Sequence, residues 1–132
     1  MTHSTRITIY TDGACIGNPG PGGYGAVVLR GSERLELSGG FRRTTNNRME
    51  ILAAIVGLAA LDPGMSVTLH SDSRLLVDGI AQGWAARWRR NGWMRNKHER
   101  ALNPDLWGRL LEACAPHTVD FRWVKGHAGN RE

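Results

Sequence analysis

The chain of 132 residues has only two cysteines, Cys15 and Cys114, far apart and without a C-x-x-C pair. That excludes a disulfide framework and gives no sign of a cysteine-built zinc site, so two reduced thiols are expected. No apolar run approaches the ~18 residues of a membrane span. The opening residues "MTHSTRIT" lack the apolar centre of a signal peptide. No membrane association and a cytoplasmic location are therefore expected. Internal repeats, low-complexity segments and linkers are also missing. A length of 132 residues with 41% apolar side chains suits one domain around a single core.

Acidic residues are scarce in one place. Residues 87–100, "RWRRNGWMRNKHER", carry six Lys/Arg against the single acid Glu99, leaving eleven charges of each sign for the rest of the chain. The formal net charge of +5 is thus a local patch. A local patch can neutralise phosphates and release counterions, whereas a dispersed excess mostly aids solubility. On charge alone, a solvated basic helix and a nucleic-acid surface are equally good readings.

The apolar pattern places the elements. "RITIYTDG" alternates and stops at Asp-Gly, a strand running into a turn, and "ACIGNPGPGGYG", with five glycines and two prolines, reads as a loop. "YGAVVLR" and "ERLELSGGF" read as two strands of a meander turned at Gly31-Ser32. From Asn46 to Leu61, Met49, Leu52, Ala53, Val56, Ala59 and Ala60 recur at helical steps, with Asn46 as the expected cap and Pro63-Gly64 as the stop. "SVTLHSDS" is a further strand, with Val67 and Leu69 on one face, and a helical "SRLLVDGIAQG" follows. Asn103-Pro104 has the form of a cap and a proline at the first helical position, and "TVDFRWV" alternates as a fifth strand. The expected order is β-β-β-α-β-α-α-β, an α/β fold with a mixed sheet whose parallel half is closed by helices.

Three acids stand at element ends. Asp12 follows the first strand, Glu50 lies early in the long helix, and Asp72 follows the fourth strand. Each has an ordinary explanation: a turn residue, a helix-dipole partner, a cap. If strands one and four lie side by side with the helix across them, all three reach one edge and need cations to coexist. Carboxylate oxygens with no Cys or His cluster favour magnesium or manganese over zinc. Two such ions bridged by a shared Asp suit phosphodiester cleavage.

The blocks "YTDGACIGNPGPGGYGAVV", "TTNNRMEILAAI", "SDSRLLVDGI", "QGWAARWRRNGW", "NPDLWGRL" and "WVKGHAGN" resemble bacterial type 1 ribonuclease H, in order and spacing, across essentially the whole chain. The resemblance implies the ribonuclease H fold, a five-stranded mixed sheet with helices on both faces. It also implies magnesium-dependent cleavage of the RNA strand of RNA/DNA hybrids by a monomer, with manganese as a substitute metal. Asp12, Glu50 and Asp72 match the metal-binding acids, with Asp12 the expected bridge between two ions. His127 matches the family's flexible-loop histidine, which assists proton transfer or product release. An imidazole titrating near neutral pH between Gly126 and Gly129 is chemically suited to that work.

The resemblance further implies how the hybrid is held. Gly13, Cys15, Asn18, Asn46 and Asn47 match residues that contact the RNA strand, where the 2'-hydroxyl distinguishes RNA from DNA. Arg43, Thr45 and Asn103 match a pocket for a DNA-strand phosphate; for Asn103 by itself, capping is the stronger reading. Trp84, Trp88 and Trp93 with Arg87, Arg89 and Arg90 match the basic protrusion that holds the DNA strand. Trp84 is expected to face DNA sugars while the other two support the helix, the arginines adding salt-dependent affinity.

Two departures stand out. Arg74 occupies the position where the family commonly has Gln. The family's fourth metal-binding Asp and last helix would fall beyond Glu132, so this sequence is expected to be one ribonuclease H domain, cut short before that helix, with three of the four acids. An active endonuclease on a longer natural chain is the leading expectation, and a catalytically impaired hybrid-binding module the alternative. A resolvase or integrase core of the same fold fits the tryptophan-rich basic stretch and the asparagine pair less well.

Overall fold

The computed structural model of the protein describes residues 6–125. Five strands form one sheet in the order β3-β2-β1-β4-β5. These are β1 (Arg6–Cys15), β2 (Gly20–Arg30), β3 (Glu33–Thr44), β4 (Ser66–Ser71) and β5 (Thr118–Trp123). β1, β2 and β3 form an antiparallel meander, and β4 runs parallel to both β1 and β5. Four helices join them: α1 (Asn46–Ala59), α2 (Arg74–Ala81), α3 (Trp84–Arg90) and α4 (Pro104–Cys114). Strands one and four are neighbours, as the clustering of the three acids requires.

Alternation decides which face of the sheet is covered. Ile7 and Ile9 of β1, Val28 of β2, Val67 and Leu69 of β4 and Phe121 of β5 point the same way. They join Leu52, Leu58, Leu76, Ala85, Leu106 and Trp107 from the four helices in one core. On the opposite face Tyr10 stacks on His70, ring centroids 4.7 Å apart, as their position as register partners on parallel strands allows.

Several local expectations are corrected. β1 does not stop at Asp12-Gly13 but runs to Cys15, and the glycine-rich segment is mostly paired strand, with Asp12 opposite Gly25 and Gly13 opposite Tyr24. The turn is confined to residues 16–19. α1 is capped by Thr45, whose hydroxyl accepts from Arg48 N, and not by Asn46. Its buried set includes Ile51, Ala54, Ile55 and Leu58, beyond the expected stripe. The reason is that α1 packs between the sheet and α4, so more than one side of it is covered. The basic stretch contributes a helix, α3, that the expected order lacks; Gly83 at φ 76 turns the chain between α2 and α3.

Among the described residues no helix is long and apolar enough to cross a membrane.

Candidate active site

Asp12 lies within β1 beside its partner β4, whose end leads directly to Asp72. Glu50 is the fifth residue of α1, one turn beyond the Thr45 cap, and α1 packs against β1. The three elements bring one carboxylate oxygen from each acid within 4.8 Å of the others. Among the described residues no other trio of His, Cys, Asp or Glu converges in this way.

The ordinary explanations for these acids fail one by one. Asp12 is in a paired strand, so it is not a turn residue. Glu50 lies past the first turn of α1, where no acid stands to favour the dipole. Asp72 does not cap α2; Ser73 does, its hydroxyl accepting from Leu76 N at 3.1 Å.

Crowding has an electrostatic cost. Burial, then the hydrogen bond with Asp72, then the charges of Asp72 and Asp12 push the Glu50 carboxyl up to about 9. Glu50 Oε1 is also buried without a hydrogen-bond partner. A buried oxygen of this kind, beside two further carboxylates, is what a hard divalent cation would satisfy. Asp12, Glu50 and Asp72 therefore fit a magnesium-type site.

Two residues to which the sequence analysis gave no role at the site, Arg74 and Trp123, lie against Asp72 and each other. The Trp123 indole N–H donates to the Asp72 carbonyl at 3.2 Å, and the Arg74 guanidinium lies 4.3 Å from the Trp123 ring centroid. The signal in the sequence was the departure at Arg74; nothing in it pointed to Trp123 as the partner. His70 was also missed. It lines the same cavity as Asp12 and Asp72, and burial, then the Arg122 charge, lowers its pKa.

The residues matched to the RNA strand gather near the start of α1. Asn18 Oδ1 accepts from Asn46 N at 3.0 Å, tying the β1–β2 turn to the helix. Asn47 is exposed beside them. The Cys15 thiol faces inward, its single S–H within reach of both Gly20 O and Thr44 O, at 3.3 and 3.2 Å. Gly13 packs directly on α1, where a Cβ would meet the backbone of Met49 and Glu50.

The phosphate set is joined by a residue absent from the sequence reading. Arg48 donates to Asn103 Oδ1 at 3.0 Å and to both carboxylate oxygens of Asp105, at 3.1 and 2.7 Å. Asn103 stands at the cap position of α4 but makes no side-chain cap bond, which corrects the capping expectation. Its backbone is left-handed, φ 57, and its side-chain oxygen is taken by Arg48. Arg43 is exposed near the end of β3.

On α3, Trp88 packs edge-on against the core residue Trp107 at 5.9 Å, with Trp84 tilted beside it at 6.4 Å. Trp88 and Trp93 border the core. Arg87, Arg89 and Arg90 are all exposed, and Arg89 pairs with Glu112 at 3.2 Å. His127 lies outside the described residues.

A family model described as RNase H matches residues 4–132. The chain belongs to the RNase H family. Among RNase H relatives, Ribonuclease H of Syntrophus aciditrophicus is 66% identical over 96% of this chain and 73% of its own length. Ribonuclease HI of Synechocystis is 57% identical over 96% of this chain and 79% of its own. The fold is likewise that of LC9-RNase H1, a type 1 RNase H with the type 2 active-site motif, at TM-score 0.83 and 31% identity, covering 98% of this chain and 67% of that one. LC11-RNase H1, solved in complex with an RNA/DNA hybrid, superposes at TM-score 0.70 with 26% identity, covering 95% of this chain and 89% of that one. Family membership places the chain among nucleases of the bacterial type 1 RNase H group.

Proposed function

We propose that this chain hydrolyses the RNA strand of RNA/DNA hybrids, using magnesium ions held by Asp12, Glu50 and Asp72, as a monomer in the cytoplasm. The observation that carries the reading is the meeting of these three carboxylates within 4.8 Å from three separate elements. The chemistry supplied by two bound magnesium ions is activation of water for attack and stabilisation of the leaving oxygen; manganese, with similar oxygen preference, is the expected substitute.

The chain's own groups do the rest. Asp12, Glu50 and Asp72 would hold the ions, with Asp12, by its motif position, the carboxylate shared between them and Glu50 and Asp72 completing the donor set. His127, by its motif position, carries a proton to or from the reacting centre at neutral pH. Gly13, Cys15, Asn18, Asn46 and Asn47 meet the RNA strand's 2'-hydroxyls through backbone groups and short amides. Arg43, Thr45 and Asn103 hold a phosphate of the DNA strand. Trp84 and the α3 arginines track that strand without reading sequence.

The test uses labelled hybrid, duplex DNA and duplex RNA. With magnesium the protein is expected to cut the RNA of the hybrid only, and Asp12→Asn to bind hybrid without cutting it. Hybrid binding with no cutting by the unmodified protein, or equal cutting of duplex DNA, would overturn the reading.

A further inference from the structure

We infer that Arg48 is a positioning residue that aims the hydrogen-bond donors of Thr45 and Asn103 at the bound phosphate; the inference rests on the hybrid reading above. A guanidinium has five N–H donors and no acceptor. Whatever side-chain atom of Asn103 faces Arg48 must therefore be the carbonyl oxygen, as found at 3.0 Å. That fixes the amide, and its NH2 group points away from Arg48. The same residue acts on Thr45 through its backbone. Arg48 N donates to Thr45 Oγ1 at 3.2 Å, which uses an acceptor lone pair and leaves the hydroxyl hydrogen to donate elsewhere. Each short side chain thus has one acceptor site taken by Arg48.

The remaining contacts fit this purpose better than a stabilising one. Asp105 holds the guanidinium through two oxygens, at 3.1 and 2.7 Å. Its side chain is 59% exposed, so solvent screens the charge attraction of the pair. What a two-point fork does provide is direction, because it fixes the plane of the guanidinium that meets Asn103. Asn103 itself adopts φ 57, a conformation uncommon for a side-chain-bearing residue, though asparagine tolerates it best. Here the left-handed backbone coincides with the side chain forgoing its cap bond and turning to Arg48. The outcome is a hydroxyl and an amide each held by Arg48 at an acceptor oxygen, with the O–H and the NH2 left to donate to an anion. Exposed Arg43, two residues before Thr45, adds positive charge to that end of β3.

The experiment measures hybrid affinity in an Asp12→Asn background, so that binding is read without cutting. A neutral methylphosphonate is walked along the DNA strand, one phosphate at a time. One position is expected to cost about tenfold in affinity, the loss typical of a hydrogen bond to a charged group. Arg48→Ala should weaken binding of the all-phosphate hybrid by a similar factor and abolish the sensitivity at that one position. Asn103→Ala should do the same, and the double variant should bind no worse than either single one. A role confined to stability would lower the melting temperature but leave the methylphosphonate profile unchanged. If Arg48→Ala does not fold, Asp105→Asn, which frees the guanidinium without emptying its place, should reduce the sensitivity at the same position. Sensitivity retained in folded Arg48 or Asp105 variants, additive losses in the double variant, or no sensitive phosphate on a tightly bound hybrid would each overturn the inference. In all three cases the proposed activity would stand. Failure of the background protein to bind hybrid would remove the activity reading first, and this inference with it.

Discussion

Gly13 and Glu50 are in direct backbone contact across the strand and helix that carry the first two acids. A Cβ placed on Gly13 would lie 2.7 Å from Glu50 N and 2.6 Å from the Met49 carbonyl carbon. These are backbone atoms, so no side-chain rotation relieves the clash. The missing side chain at position 13 is what lets α1 lie on β1 closely enough for the Glu50 carboxyl to reach Asp12.

Gly13→Ala is therefore expected to push α1 outward. Overpacking of this kind typically costs ~1–3 kcal/mol. The melting temperature should fall, and the magnesium concentration giving half-maximal cutting should rise, because the ligand oxygens separate. A variant with wild-type stability and an unchanged magnesium requirement would show that the contact does not set the site.

Without a cation, Glu50 makes stability depend on pH. Its carboxyl is raised from 4.5 to about 9 in the folded protein. Between those values the folded state holds a proton that the unfolded state has lost, so this contribution is complete below pH 4.5 and disappears as pH rises toward 9. Melting in chelator should show stability falling with pH across that window. Glu50→Gln, which cannot ionise, should flatten the slope, and so should saturating magnesium, which favours the ionised form in the folded state. An equal slope in Glu50→Gln would assign the effect to other groups.

What the sequence could convey follows from the range of the interactions involved. The five strands and the main helices are local patterns of alternation and helical spacing, and they stand nearly where those patterns put them. The three acids were legible only through ordered motifs, since each alone looks like a turn, dipole or cap residue. The glycine-rich segment misled because glycine signals a turn locally, whereas here Gly13 and its neighbours serve close packing between a paired strand and α1. Asn46 and Thr45 are adjacent good capping residues; the Thr45 hydroxyl takes the cap bond from Arg48 N, while the backbone N–H of Asn46 donates to Asn18. The links from Arg48 to Asn103 and from Trp123 to Asp72 span more than fifty residues. No local pattern announces such pairs.

Trp123→Phe should remove one hydrogen bond and little else. The phenyl ring keeps an aromatic face for Arg74, but the donor to the Asp72 carbonyl is lost. A net loss of ~0.5–1.5 kcal/mol is expected for such a bond. Magnesium should be needed at a several-fold higher concentration, with hybrid affinity nearly unchanged. Weaker hybrid binding at saturating magnesium would instead make Trp123 a substrate contact.

The aromatic and basic side chains of α3 should separate by function. Trp88 leans edge-on against Trp107, a core residue only 1% exposed, whereas Trp84 is not among the residues bordering the core. Trp88→Ala should lower stability by ~2 kcal/mol or more through poorer packing. Trp84→Ala should leave the melting temperature nearly unchanged and weaken hybrid binding. The arginines divide in the same way: all three are exposed, but Arg89 already pairs with Glu112. Each of Arg87→Ala and Arg90→Ala should reduce the slope of log affinity against log salt by ~1, as when one phosphate is no longer neutralised by the protein. Arg89→Ala should reduce it less, because part of its charge is already neutralised within the protein. Equal slopes for all three variants would show that the Glu112 pair opens when nucleic acid binds.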